Sequence, residues 1–592
     1  FNTGTDVGWK KFDLSVAGLP GGPYGTYTFP STGIDGLGYR ITSIANPVPA
    51  TFGPGRAFSY REAVYTRGQF RVDVKGWTVL PNAAFGFLFR ANTVGAGTTT
   101  GYVMNYNAVD EDLQLNVVEG EAAAVTIAET PVYLDPERFD YRWELTTWGG
   151  NLLGRVFQAP DYDSPVASVF AIDETTPSGV TGLFNYDRDG RAPAGTAVAQ
   201  TTFDNYSATA PAVGSLAPVI IELLPTPAAG SHDGRPLFKV AVLDRDTTVK
   251  PDSFVLSVDG VAVPSGGANG FTVASGVQVP NNEETFPGAT LTYTPAANLA
   301  EGRHRAQVIY EDSTGAKHTN DWVFSADYFV NGATAPGARG FNVRYTQAQQ
   351  QSGGLGNSLQ RAFLQLAPNS PIAAGFETNL VAEVINYSQK AAAPQGGSDG
   401  NFEGDQPFPG QTEGSPTDNS AMEITCWLDL PAGTTRFGVV SDDGFQLSSS
   451  ALTASPILYR VNGGTANVEF SAFAAEAGLY PFTLVWYENT GGAHLEWFVV
   501  LESGEKVLVN TAGAPAAYVS ATAVPAVSLV ASPTLSGAYL VVEGAVVDST
   551  AKTITVPVPV ASTLFYRVSN SAGDISIQGI HRVGDTLVIR YQ

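Results

Sequence analysis

A period of two runs through this chain and narrows its fold more than any other feature. Phe70-Arg71-Val72-Asp73-Val74, Ala84-Phe85-Gly86-Phe87-Leu88-Phe89, Tyr102-Val103-Met104-Asn105-Tyr106 and Leu113-Gln114-Leu115-Asn116-Val117 are short strand-like stretches set between Gly and Pro turns. Alternation sends one set of side chains to a core and the other to solvent or a second sheet, so stacked sheets are expected. Only Ser358 to Leu366 resembles a helix, and briefly. With 64 Gly and 38 Pro to serve as turn residues, short strands and many loops follow, and the fold class is all-β.

At 592 residues the chain exceeds one hydrophobic core, since cores stop growing near about 250–300 residues. Turn-rich, small-residue stretches at Ala208 to Pro218, Asn331 to Arg339 and Ala512 to Ala526 read as linkers. They divide the chain into sandwiches over 1–210, 216–330 and 339–512 and a small β unit over 525–592. The second holds about seven short strands, including Phe238-Lys239-Val240-Ala241-Val242 and Ala306-Gln307-Val308-Ile309-Tyr310, with Asp259-Gly260 as a hairpin turn. Residues 391–420 are rich in Gly, Pro, Asp and Ser, the composition of a long functional or packed surface loop.

A formal net charge of −24 opposes phosphate backbones and anionic membranes, so nucleic acid is not an expected partner. The same acid excess suits divalent cations or simple solubility. No apolar run reaches the roughly 18 residues of a membrane helix. The lone Cys426 lies in an alternating run, reads as a buried strand residue, and can form no intramolecular disulfide. The sequence opens at Phe1 without an initiator Met, as a secreted chain does after its signal peptide is removed.

Residues 339–512 resemble the PA14 family of β-sandwich modules, found in bacterial toxins, glycosidases and yeast flocculins. The resemblance is carried by Phe437-Gly438-Val439-Val440-Ser441-Asp442-Asp443-Gly444-Phe445-Gln446-Leu447 and by Gly478-Leu479-Tyr480-Pro481-Phe482-Thr483-Leu484-Val485-Trp486-Tyr487-Glu488. It implies that Asp442 and Asp443 hold Ca²⁺ across a cis bond and that a second loop, Glu488-Asn489-Thr490-Gly491-Gly492, adds Asn489 and carbonyl oxygens. Adjacent strand residues point to opposite faces, so two neighbouring carboxylates converge on one ion only if the backbone bends sharply. Glu488, Gly491, Gly492 and His494 would line the ligand. A plain polar hairpin turn at Asp442-Asp443-Gly444 is the alternative, because Asp-Gly is a strong turn signal by itself.

The first sandwich resembles laminin-G-like, concanavalin-type jelly rolls through Phe1-Asn2-Thr3-Gly4-Thr5-Asp6-Val7-Gly8-Trp9, Ser59-Tyr60-Arg61 and Thr202-Phe203-Asp204-Asn205-Tyr206. The Glu-x-Asp-x-x-Glu strand of glycosidases with a related fold does not occur. Asp110, Glu111 and Asp112 at a turn, and Glu119 with Glu121, read as solvated surface acids, while Asp6 and Asp204 would meet if the first and last strands paired. The second sandwich resembles bacterial immunoglobulin-like spacers through Val255-Leu256-Ser257-Val258-Asp259-Gly260 and Trp322-Val323-Phe324. The C-terminal unit resembles small β units that end similar secreted proteins.

Five histidines are scattered without ligand spacing, and no Gly-rich phosphate loop follows a strand, so catalysis is not expected and a glycosidase ranks third. Trp148 and Trp427 would stack on sugars if exposed, core packing being the default for such residues. The first expectation is an extracellular or cell-surface adhesion protein that binds glycans through Ca²⁺. The second is a structural subunit of an extracellular filament, sheath or surface layer, whose partners are copies of itself.

Overall fold

The computed structural model describes the chain except for residues 17, 49–52, 78–82, 109, 122–123, 188–196, 280–283, 350–354, 391–399, 523–527, 533, 536–538, 543–544, 549–551, 559–563, 571–572 and 585. The alternating runs are strands, and the protein is an all-β, multidomain molecule. The first part of the loop expected at 391–420 and the end of the linker expected at Ala512 to Ala526 lie outside the described residues.

The first sandwich stacks two seven-stranded sheets. One is ordered Lys10–Asp13, Arg56–Tyr65, Gly179–Asp187, Ala83–Thr93, Thr100–Asn107, Asp112–Val118, Val125–Pro131. The other runs Pro165–Ile172, Asn151–Gln158, Tyr141–Trp148, Gly68–Trp77, Ala197–Thr209, Tyr39–Ile44, Gly25–Thr28. Phe85, Phe87 and Phe89 alternate inward against Trp143, Val72 and Met104, which is why that run is a strand of the core. The first and last strands therefore lie in different sheets, contrary to the pairing considered above. Asp6 ion-pairs with Lys11, and Asp204 accepts the Ile34 amide at 2.9 Å.

The second sandwich packs Val219–Leu224, Phe238–Leu243, Thr285–Tyr293 and Thr272–Gln278 on a five-stranded sheet that includes Gly302–Glu311 and Lys317–Ala326. Its core centres on Phe238, Leu291, Trp322 and Phe324. The stretch before it is no free tether. Leu216 is buried with Val219, Ile221 and Phe286 against Trp148, Leu153 and Phe170 of the first sandwich, so Trp148 seals a junction instead of facing a sugar.

The third sandwich sets Ala374–Ala382, Phe341–Ala348, Ser420–Leu430, Gly478–Glu488, Phe445–Ser448 and Ile457–Val461 against Asn386–Ser388, His494–Val500, Gly433–Asp442 and Ala466–Ala474. Cys426 is buried in this core with Trp486 and Trp497. Its chain enters and leaves side by side: Gly340 N–H donates to Ala517 O, and Val519 N–H to Ala338 O, both at 2.9 Å. Asp327 of the second sandwich accepts the amides of Thr453, Ala454 and Ser455 at 3.2, 3.0 and 2.7 Å, tying the second and third sandwiches together.

A separate compact unit comprises Gly332–Gly337 and Ser520–Gln592. Its small core holds Leu529, Ile554, Val556, Val568, Ile589 and Tyr591. Among the described residues no helix is long and apolar enough to cross a membrane.

Candidate cation site in the third sandwich

Strand Gly433–Asp442 carries Phe437 and Val439 into the core, and its register pairs Asp442 with His494. The next strand, Phe445–Ser448, pairs instead with Gly478–Glu488 and Ile457–Val461 in the opposite sheet. Asp442-Asp443-Gly444 is thus not a hairpin turn, as the plain reading of Asp-Gly would have it; it is the point where the chain crosses from one sheet to the other. Gly444 is required there, since a Cβ would lie 2.5 Å from the Val461 carbonyl oxygen.

The crossing is fixed by hydrogen bonds. Ser441 Oγ donates to Asp443 O at 2.8 Å, Trp486 Nε1 to Asp442 O at 3.1 Å, and Asp443 N–H to Tyr487 O at 3.2 Å. The Asp442–Asp443 peptide bond is cis. Both carboxylates converge with that of Glu488: one oxygen from each of the three lies within 4.8 Å of the others.

Glu488 ends the strand Gly478–Glu488 and is fully buried, with neither carboxylate oxygen hydrogen-bonded. Its pKa is pushed up to about 9, first by burial and then by the charges of Asp443, Asp442 and Asp418. A buried carboxylate without a partner is expensive, and a cation at the cluster offsets that cost. Two more buried oxygens lack partners, Asn489 Oδ1 and Asn357 Oδ1. The Asn489 backbone N–H donates to Asp443 Oδ2 at 2.9 Å and Asn357 Nδ2 to Asp443 Oδ1 at 3.2 Å, so the Asn489 backbone and the Asn357 amide sit beside the acids.

Behind the cluster lies the helix Leu359–Leu366, capped by Ser358, whose Oγ accepts the Arg361 amide. Arg361 is buried and donates to the carbonyls of Gly356, Ser420 and Glu488 at 3.2, 2.9 and 2.8 Å. One guanidinium therefore ties together the three segments that carry Asn357, Asp418 and Glu488.

Asp442, Asp443 and Asn489 adjoin one another, and Glu488, expected only to line a ligand, stands among the acids. Gly491 donates its amide to Asp418 Oδ1 at 3.3 Å, Gly492 lies beside Asp442, and both glycines are exposed at the rim. His494 faces Asp442 across the ladder. Asn357 and Asp418 were not anticipated; 86 residues separate Asn357 from Asp443, and no local pattern links them. Every donor in the group is oxygen, the chemistry of hard cations such as Ca²⁺ or Mg²⁺.

Two acids read from sequence as solvated are engaged elsewhere. Glu111 is half-buried in an ion pair with Arg460 of the third sandwich, and Glu121 accepts Arg56 Nε and Nη2 at 2.7 and 2.8 Å. Long-range pairing of this kind leaves no mark in local sequence.

No family model and no curated protein sequence matches the chain. Among solved structures, parts of it are similar to the PA14 domain of the MpAFP antifreeze protein (18% identity, 30% of this chain and 90% of that one, TM-score 0.22). They are also similar to a PA14 sugar-binding domain from an RTX adhesin (18%, 29% and 94%, TM-score 0.19). A third is the epithelial adhesin 9 A domain of Candida glabrata in complex with Galb1-3GlcNAc (11%, 33% and 97%, TM-score 0.24). With TM-scores this low, the likenesses carry no functional argument.

Proposed function

We propose that this chain is an extracellular or cell-surface binding protein that holds Ca²⁺ at Asp442, Asp443, Glu488 and Asn489 and engages a glycan at the rim formed by Thr490, Gly491 and Gly492. One observation carries the reading: Glu488 presents two buried, unpartnered oxygens to a cluster already holding two carboxylates. Calcium takes about 6–8 oxygens, and three carboxylates, the Asn489 and Asn357 amide oxygens and water at the exposed rim supply that number. The smaller Mg²⁺ retains most of its water and suits such a dense protein shell less well. Exposed glycines leave room for vicinal sugar hydroxyls to complete the shell.

Adding Ca²⁺ to chelator-treated full-length protein at about a hundredfold over its Kd should raise Tm by about 5–10 °C. The double variant Asp442→Asn, Asp443→Asn should abolish the rise. Wild-type protein whose Tm does not move with Ca²⁺ would sink the cation reading. A glycan array that gives the same signal with and without chelator would sink its use in adhesion.

A further inference from the structure

The first sandwich contains a cavity of about 720 Å³ on the outer face of its Ala83–Thr93 sheet, remote in sequence from every residue of the cation site. Directly paired residues on neighbouring strands share a face, so the register sets out the walls. One row crosses the sheet as Phe58, Phe184, Gly86, Asn105 and Gln114. The adjoining row brings Tyr186, Ala84 and Asn107 together. Half of this face is thus aromatic and half is amide, and the glycine and alanine between them give it depth.

The amides are the unusual part. Asn105, Gln114 and Asn116 point away from the core yet are 5%, 9% and 4% exposed. They form a chain. Thr126 Oγ1 donates to Asn116 Oδ1 at 2.7 Å, Asn116 Nδ2 to Asn105 Oδ1 at 2.8 Å, Asn105 Nδ2 to Gln114 Oε1 at 3.3 Å, and Gln114 Nε2 to Asp112 Oδ2 at 3.0 Å. Each primary amide carries two N–H donors. The chain uses one on Asn105 and one on Gln114, which leaves the other for whatever occupies the cavity they line.

Electrically the walls are neutral. Among the described lining residues only Arg56 and Glu121 are ionised, and each holds the other in a two-pronged pair. A phosphate, sulfate or uronate would lose its hydration with no counter-charge to meet it, inside a protein whose net charge of −24 already repels anions.

We propose that this cavity is a second, metal-free site that binds a short stretch of an uncharged glycan. A sugar ring offers an apolar C–H face, which suits Phe58 and Phe184, and a rim of hydroxyls that both donate and accept, which suits the amide chain. The volume falls within the range of about 300–1,000 Å³ usual for small-ligand sites. Glu121 is the one carboxylate on the described walls and is held by Arg56, so the site binds its sugar without cleaving it. Two glycan sites in one compact unit would let the chain hold a surface far more tightly than either site alone.

The test is an array of neutral and acidic glycans probed with full-length protein in excess EDTA, followed by calorimetry on the hits. Neutral glycans should bind in EDTA and acidic ones should not. Ala84→Phe, which fills the cavity and not the core, should abolish binding, and Gln114→Ala should weaken it at least about tenfold, or 1.4 kcal/mol. Both should still fold, Gln114→Ala with a Tm lowered by a few degrees because Asn105 and Asp112 lose a buried partner; if Ala84→Phe does not fold, Gln114→Ala decides alone. The double variant Asp442→Asn, Asp443→Asn should bind the same neutral glycan in EDTA as wild type does, which separates this site from the calcium reading. A blank neutral array in EDTA, or binding that survives Gln114→Ala unchanged, would overturn the proposal.

Discussion

Three carboxylates within 4.8 Å of one another repel, and Glu488 suffers most because it is fully buried and accepts no hydrogen bond. Without metal, that residue opposes folding at neutral pH; with metal, it becomes a ligand. Glu488→Gln therefore separates the two states. Its Tm in EDTA should exceed wild type by a few degrees, because folding no longer has to protonate a carboxyl whose pKa burial and its acidic neighbours push up to about 9. Its Ca²⁺ affinity should fall at least about tenfold, or 1.4 kcal/mol. Differential scanning fluorimetry in EDTA and calcium calorimetry read the two effects separately. The adjacent acids Asp442 and Asp443 were conspicuous in sequence because neighbours on an apolar strand rarely both carry charge. Asn357 and Asp418 were not, since each sits in an ordinary polar loop and gains its place only when Arg361 gathers the carbonyls around it.

Among elements, the eight-residue helix Leu359–Leu366 is too short to hold itself and depends on its cap and on packing against Ala421, Val485 and Tyr487. Ser358→Ala removes the cap and should cost about 1 kcal/mol, measured by urea unfolding. Because the helix carries Arg361, the same variant should also lower Ca²⁺ affinity. This helix and the alternating strands were legible, for period and capping are local. Sheet membership was not: Gly433–Asp442 and Phe445–Ser448 follow each other through an Asp-Gly sequence and yet belong to opposite sheets. Partner choice depends on which strands are already in place, and a turn signal says nothing of that.

At the scale of the larger unit, buried junctions join the sandwiches that linker composition marks off. Glu144 lies under one of them. Burial alone would raise its pKa, but Arg155 and Arg71 overcome that and hold it at about 2, while Arg155 also donates to Ile220 O of the second sandwich at 3.3 Å. A carboxyl held below its ordinary 4.5 adds stability that is complete above that pH and fades as pH falls toward 2. Tm followed downward through that window should drop, and Glu144→Gln should show a shallower drop. At neutral pH the variant should be less stable by about 3 kcal/mol, since Arg155 is left buried without its partner.

The side-by-side ends of the third sandwich bear on how it would respond to mechanical load. Tension along the chain through Ala338 and Val519 meets the two hydrogen bonds Val519–Ala338 and Gly340–Ala517 one after the other, as a zip opens, and not together in shear. The rest of the sandwich, with Asp442, Asp443 and Glu488 inside it, stays slack until that seam has parted.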